Sequence, residues 1–275
     1  MNYEKQYSDC CLQVISKHLY NDARSEWDEC FLGILAPNSS LLRLAERPLC
    51  KFRFLNRKLP SICPKVDLSG GFDLYLNSHS ASQRQQFKRL LKQAGDPSVK
   101  FEVATTFEEG ELYLDELIEL HQARWNENGS SGAFASNRKV SFLKSLTEKL
   151  LLKRQVLITK LSKNGAPIAV LYGFINQGKF DFYQSGVNID CRDFKSPGIV
   201  AHLLTMSYLA EQRISTYDFL AGQSEYKKRL ATGERYTYEL TLKRPTIRTF
   251  LNIAVVIFKK IKLRIQRFEK KLPQA

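Results

Sequence analysis

The 275-residue sequence predicts an α/β fold in which helices flank a mixed, mainly antiparallel sheet and a basic amphipathic helix follows. Three observations predict this fold. From Val99 onward, apolar periodicity gives the order strand, two helices, three strands, helix, strand, helix, strand. Asn164-Gly165, between two apolar runs, is the strongest short-range signal for a hairpin. Helix starts near Pro197 and Ser224 each follow a strand, and such junctions are where open α/β sheets bind ligands.

The first 65 residues are the least regular part of the sequence. Residues 31–35 and 51–55 are typical of strands. We expect Pro48, Pro60 and Pro64 to interrupt the strands of this region.

The regular elements begin near Ser80. Ser80 or Ser82 is a suitable N-cap for a helix that Gly95 ends. Further helices are predicted at about 108–125, 139–152, 197–212 and 224–230. Strands are predicted at about 99–104, 155–161, 167–175, 180–186, 216–220 and 236–242.

The tripeptide Ser196-Pro197-Gly198 opens one of these helices. Proline suits the first helical position because its missing N–H would have no partner there. Glycine leaves the backbone open to a ligand, and the first-turn amides of a helix favour an anion such as a pyrophosphate. Alternatively, the tripeptide only caps the helix after a turn.

A second segment combines a buried strand, a loop and a helix start. It runs from Asp218-Phe219-Leu220 through Gly222 to Tyr226-Lys227. With Ser196-Pro197-Gly198, this segment resembles the second half of a GCN5-related acyltransferase domain. The resemblance is to the CelD/BcsL-like acetyltransferase family, a relative of the FemAB-type peptidoglycan-bridge transferases, and covers roughly residues 72–243.

This resemblance implies transfer of an acetyl or other acyl group from acyl-CoA by direct attack, with no covalent enzyme intermediate and no metal. The acceptor would be an amine or hydroxyl of a sugar, peptide or polysaccharide precursor. Backbone amides near the helix start would bind the coenzyme A pyrophosphate, at Ser196, Gly198, Ile199 and Val200.

Acyl transfer needs a base, an oxyanion donor and an acid for the leaving thiolate. Asp218 is the candidate to orient or deprotonate the acceptor, Tyr226 the candidate acid, and Lys227 a ligand for phosphate or carboxylate. The alternative is structural: Asp218 caps the loop, Tyr226 packs in the core and Lys227 is solvated.

The resemblance also implies residues on the acceptor side of the cleft. They are Arg124 and Trp125 at the end of a helix and Gly222 in the loop. Tyr183 and Gln184 are candidates at the end of a strand; they would face opposite sides of the sheet, so at most one of them faces the cleft. Trp125 could equally be a core residue, and Tyr183 and Gln184 ordinary strand residues. The four histidines are expected to be structural or exposed.

We expect three segments: a truncated or degenerate first half at 1–70, the acyltransferase-like domain at 71–245 and the basic helix at 246–275. The net charge is +14, and ten cations with one anion lie between Lys243 and Lys271. An apolar stripe in this helix favours contact with an anionic membrane surface or a partner. Alternatively, the stripe packs on its own domain and the cations are solvated.

The N-terminus has no apolar core of signal-peptide type, and no apolar run approaches the roughly 20 residues of a membrane span. We therefore expect a cytoplasmic protein, peripheral on the inner membrane face if the basic helix binds lipid, with reduced cysteines. Nucleic acid is not an expected partner. Two other functions stay open: a FemAB-like transferase that uses aminoacyl-tRNA, and a non-catalytic membrane-associated scaffold.

Overall fold

The computed structural model describes residues 8–19, 27–45 and 55–269, apart from 128, 130, 192, 223 and 245. The chain forms two compact units. One comprises Met1–Ser61 with Tyr236–Ala275, and the other comprises Ile62–Arg235. The predicted boundaries at 70 and 245 stay a prediction.

The larger unit contains one mixed sheet. Its strands are the end of β2 (Leu55–Asp67), β3 (Val99–Val103), β4 (Val156–Lys163), β5 (Ala166–Asn176), β6 (Lys179–Val187) and β7 (Thr216–Asp218). They lie in the order β2-β7-β6-β5-β4-β3. Only β6 and β7 are parallel among the pairings described within this unit, so the predicted mixed, mainly antiparallel sheet is confirmed.

The described residues of the same unit form six α-helices and a 3₁₀ helix at Gln93–Gly95. The α-helices are α2 (Gly71–Asn77), α3 (Ala81–Lys92), α4 (Phe107–Glu127), α5 (Asn137–Leu150), α6 (Pro197–Glu211) and α7 (Glu225–Leu230). Ser80 is the N-cap of α3 and accepts a hydrogen bond from the amide of Gln83. The turn residues Asn164 and Gly165 have φ of 51° and 80°, as the predicted hairpin requires.

Helices cover both faces of this sheet, and each face has its own core. Leu157 and Leu171 belong to a core that includes residues of α2, α3 and α6. Their neighbours Ile158 and Val170 belong to a second core that includes residues of α4 and α5. Since side chains alternate between the faces of a strand, consecutive apolar residues fill both cores.

The smaller unit has its own apolar core around a strand pair. It contains α1 (Ser8–Lys17), β1 (Glu29–Leu35), a 3₁₀ helix (Ser40–Ala45), most of β8 (Gly233–Lys243) and α8 (Ile247–Glu269). β1 and β8 are antiparallel. The core of this unit is formed by leucines, namely Leu12, Leu35, Leu42, Leu240 and Leu242. In the described part of the chain, no helix combines the length and the hydropathy that crossing a membrane requires.

The N-terminal prediction is corrected in one respect. Pro60 and Pro64 do not interrupt a strand but lie inside β2. The described ladder between β2 and β7 begins at Lys65, so neither proline removes a hydrogen bond from it. The strand at 31–35 is confirmed within β1, whereas residues 51–54 and Pro48 lie outside the described residues. The short helix α2 was not predicted.

Candidate active site

A cleft opens where β6 and β7 diverge. The parallel ladder contains three residue pairs and ends at Asp181 and Asp218, although β6 continues to Val187. A bulge in β6 leaves Tyr183 without a partner in β5, because Tyr172 pairs with Gln184 and Gly173 with Phe182. The chain leaves β6, forms α6 and returns as β7, so the first turn of α6 follows the carboxyl end of β6.

The first turn of α6 offers amides without partners in the helix. Ser196 is the N-cap residue in a left-handed conformation, and its side chain makes no capping hydrogen bond. Pro197 at the first position has no N–H, and the next amides, those of Gly198 and Ile199, precede the helical ladder. That ladder begins at Val200, whose amide donates to the carbonyl oxygen of Ser196 at 3.1 Å. The partial positive charge of the helix end is therefore presented mainly by Gly198 and Ile199.

Two glycines allow close packing around this helix end. A Cβ on Gly198 would lie 3.2 Å from Cγ2 of Val187, so the start of α6 lies against the end of β6. A Cβ on Gly186 would collide with the carbonyl oxygen of Leu117 in α4. Because α4 passes so close to β6, its C-terminal turn brings Arg124 to the cleft.

The cleft has a volume of about 370 Å³. Its walls combine the end of β6, the segment before α6, the first turns of α6 and one residue each from α4 and α7. The lining residues are Arg124, Ser185, Val187, Asn188, Ile189, Cys191, Phe194, Ser196, Pro197, Gly198, Ile199, His202 and Tyr226. Among these described residues none carries a carboxylate, and Arg124 supplies a positive charge.

Tyr226 is the tyrosine that faces this cleft from α7. Its ring stacks on the imidazole of His202, with centroids 5.4 Å apart and 21° between the planes. Burial raises the pKa of Tyr226. A hydrogen bond with Ser224 and the positive charge of Arg124 oppose that rise. The phenol therefore keeps its proton at neutral pH and can donate it to a basic atom in the cleft.

Lys227 binds the loop between β7 and α7. Its Nζ donates to the carbonyl oxygens of Phe219 at 2.8 Å and Ala221 at 3.4 Å. Burial lowers the pKa of Lys227, while Cys63 and Asp218 oppose that change. Lys227 is not among the described residues that line the cleft, so the structure gives its ammonium a role within the loop.

Asp218 is fully buried at the end of β7. Its carboxylate pairs with Lys179 at 3.1 Å and with Arg235, and it accepts a hydrogen bond from the amide of Leu220 at 2.8 Å. Lys179 also pairs with Asp181 at 2.7 Å. A buried carboxylate with these partners cannot reach an acceptor, so this geometry corrects the predicted role of Asp218 as a base.

The remaining predicted residues are divided between the cleft and its surroundings. Arg124, Ser196, Gly198 and Ile199 line the cleft. Val200 is buried and its amide is used within α6, which corrects its place among the predicted donor ligands.

Tyr183, Gln184, Trp125 and Gly222 are not among the described lining residues. Tyr183 packs on Tyr172 and Phe174, which belong to the core beside α4 and α5. Phe180 and Phe182 belong to the other core, so Tyr183 alternates with them as an ordinary strand residue does, and the bulge instead sets Gln184 opposite Tyr172. Gly222 has a φ of 123° and belongs to the loop that Lys227 binds.

Several residues of the cleft wall were not among the predicted site residues, and His202 is the titratable one that contacts Tyr226. It follows Gly198 by four residues, so the two share a face of α6. That spacing was a usable signal, but the histidine was interpreted as structural or exposed.

Comparisons with known proteins identify the family. The family model described as "Acetyltransferase (GNAT) domain" matches residues 81–228. A comparison with curated proteins finds no match. A solved structure of a conserved protein of unknown function from Bacteroides thetaiotaomicron is 15% identical, covers 84% of this chain and 76% of that chain, and has a TM-score of 0.55.

Two further solved structures are more distant. FemX is 12% identical, with 65% of this chain and 61% of that chain covered and a TM-score of 0.48. L-PGS from Bacillus licheniformis is 12% identical, with 76% of this chain and 67% of that chain covered and a TM-score of 0.47. The family model spans more than half of the sequence and includes every residue that lines the cleft. The chain therefore belongs to the acetyltransferase (GNAT) domain family and is an acyltransferase of that type.

Proposed function

We propose that this acyltransferase moves an acetyl or other acyl group from acyl-CoA to an amine or hydroxyl of a sugar, peptide or polysaccharide precursor. One observation carries the proposal: the uncapped start of α6 and the phenol of Tyr226 line the same cleft. The helix start can bind the pyrophosphate of the donor, and the phenol can donate a proton to the leaving thiolate. Transfer from a thioester of coenzyme A needs both.

The donor is bound by the start of α6. The amides of Gly198 and Ile199 bind the pyrophosphate, beside the exposed residue Ser196. The cavity of about 370 Å³ suits the acyl group and the thiol arm, while the nucleotide extends over the surface. The acyl carbon then lies on the side of Tyr226.

The acceptor attacks the thioester carbonyl directly. A bond forms between the acceptor nitrogen or oxygen and the acyl carbon, and the carbon–sulfur bond breaks. Tyr226 gives its proton to the departing thiolate and recovers one from the acceptor through water in the open cleft. Arg124 binds the acceptor, while Asp218 and Lys227 hold the loop that positions α7.

Calorimetry with acetyl-CoA tests donor binding. Ligand at about 100 times its Kd stabilises the native state by about 2.7 kcal/mol, and the unfolding midpoint rises accordingly. Gly198→Val, which fills the helix start, should lose most of this rise. Gly233→Val is the control and should keep it, because Gly233 lies at the start of β8, has no positive φ, and a Cβ there would make only an ordinary contact with Cε of Lys65 at 3.7 Å. A parent protein with no rise at millimolar acetyl-CoA would refute the choice of donor.

The alternative donor is aminoacyl-tRNA. The net charge of +14 is the observation that favours it, since a basic chain attracts phosphates. Competition distinguishes the two donors: tRNA that displaces acetyl-CoA in a salt-dependent way supports the alternative.

We also propose that the chain belongs to the CelD/BcsL-like branch of the family. The proposal is based on the Ser196-Pro197-Gly198 tripeptide and the segment from Asp218 to Lys227.

We further propose that α8 binds an anionic membrane surface, which would make the cytoplasmic protein peripheral on the inner membrane face. Large apolar side chains of this helix are exposed, including Phe258 at 77% and Ile247 at 81%, whereas Thr249 is buried. Most of the large apolar side chains described in this helix therefore do not pack on their own unit. The cations between Lys243 and Lys271 complement anionic headgroups, each adding about 1 kcal/mol near the surface.

Sedimentation with vesicles tests this contact. The parent should bind vesicles that contain phosphatidylglycerol, and Phe250→Ser with Phe258→Ser should weaken binding at least tenfold. Phe142→Ser is the matched control, because Phe142 is similarly exposed at 62% but lies on α5. Equal binding by all variants would exclude α8 as the lipid contact.

A further inference from the structure

His202 occupies a special position in the cleft. It lies on α6 one turn after Gly198, so the helix that starts the donor site also carries this imidazole. The side chain is 2% exposed, yet it contributes to the cleft wall together with Tyr226. The mechanism proposed above assigns it no part.

The imidazole is fixed on several sides. Its Nδ1 lies 2.7 Å from the hydroxyl oxygen of Tyr217, a hydrogen bond between two buried groups. Phe182 and Phe219 contact it in edge-to-face geometry, with centroids 4.7 Å and 5.3 Å away. A ring with these neighbours has little rotational freedom, and one of its faces is left to stack with Tyr226.

The charge state of the imidazole suits a support. Burial, assisted by the positive charge of Lys227, lowers the pKa of His202 to about 3. The ring is therefore neutral at physiological pH and places no positive charge beneath Tyr226, so it does not favour loss of the phenolic proton. Its partner Tyr217 is itself fully buried, which makes the hydrogen bond a poor route for protons to bulk water.

We propose that His202 is a positioning residue for Tyr226: the neutral imidazole, held by Tyr217, supports the phenol ring and keeps its hydroxyl in proton-donating position. This inference rests on the proposed function, in which Tyr226 is the acid. It adds that α6 has two roles: Gly198 helps to bind the donor, and His202, four residues later, supports the acid.

Four variants separate support from other roles. His202→Ala removes the aromatic support, and His202→Phe retains a ring but loses Nδ1. Tyr217→Phe removes only the hydrogen-bond partner. His79→Ala is the control, because His79 is likewise packed between aromatic rings, those of Tyr75 and Phe87, but lies outside the described wall of the cleft.

Thiol release from acetyl-CoA, with water or an added amine as acceptor, is one readout. We expect His202→Ala to lower kcat at least tenfold with KM for acetyl-CoA within twofold, and His202→Phe and Tyr217→Phe to lower kcat less than fivefold. His79→Ala should match the parent once it is folded. Parental kcat in His202→Ala overturns the proposal. Equal losses in His202→Phe and His202→Ala also overturn it, because the imidazole would then act chemically.

The pKa of Tyr226 is a second readout that needs no turnover. Carbon-13 labelling of the tyrosine rings reports it, with Tyr226→Phe to assign the signal. His202→Ala admits water beside the phenol, so the pKa should fall toward the ordinary value of tyrosine, and His202→Phe should preserve the elevated value. An unchanged pKa in His202→Ala overturns the proposal even if thiol release is too slow to follow. If Tyr226→Phe releases thiol as fast as the parent, the acid assignment fails instead, and the two failures remain distinct.

Discussion

Acidification should destabilise this protein through His202. In the unfolded chain a histidine titrates near its model value of 6.5, whereas burial lowers the pKa of His202 to about 3 in the fold. The unfolded state thus binds a proton that the folded state excludes, and stability falls as pH falls below 6.5. Each pH unit costs about 1.4 kcal/mol, so about 2 kcal/mol is lost at pH 5 relative to neutral pH.

Urea unfolding at about pH 7.5 and about pH 5 measures this loss. The parent should lose about 2 kcal/mol more than His202→Phe, which has no titrating group at this position. Burial also lowers the pKa of His79 and His121, but both are present in both proteins, so their contribution cancels in the difference. If the two proteins lose the same free energy between these pH values, His202 is not buried in the neutral form and the support described above loses its basis.

Three other substitutions test separate parts of the site. Gly198→Ala places a methyl group 3.2 Å from Val187, so acetyl-CoA should bind several-fold more weakly, which titration calorimetry measures. The free energy of unfolding, measured with urea, should change by less than about 1 kcal/mol. Asp218→Asn weakens the pairs with Lys179 and Arg235, which should cost about 2 kcal/mol of stability; a fully stable variant would contradict the burial of that carboxylate. Lys227→Met removes the donor to two loop carbonyls, so kcat for thiol release should fall while acetyl-CoA affinity stays within twofold. A tenfold loss of affinity there would instead support direct contact with phosphate.

The sequence predicted the order of the main elements well because the relevant signals are local. Apolar periodicity and the turn at Asn164-Gly165 depend on nearby residues only, and the structure follows them to within a few residues. The prediction failed where contacts between residues distant in sequence determine the local structure. Pro64 is tolerated in β2 because of where the ladder with β7 begins, and a bulge that only strand pairing reveals sets Gln184 opposite Tyr172.

The candidate site was predicted only in part, because local motifs are visible in the sequence and long-range contacts are not. Gly198 and Tyr226 belong to motifs with a clear local meaning, and both line the cleft. The burial of Asp218 depends on Lys179 and Arg235, which are distant in sequence, so no local pattern could predict it. His202 was overlooked because a single histidine on a mostly apolar helix is usually structural, although its spacing from Gly198 placed it on the cleft side.

The segment from Asp218 to Lys227 contains residues that hold the loop in place and one residue, Tyr226, that lines the cleft. Its sequence alone does not distinguish them. Asp218 fixes the end of β7 through its buried ion pairs, and Lys227 fixes the loop through the carbonyls of Phe219 and Ala221. Both ends of the loop are therefore tied, which limits where α7 can begin and so where Tyr226 lies. His202 supports the same ring from α6. These three residues therefore hold the position of Tyr226, the proposed acid, and their substitution should change kcat more than donor affinity.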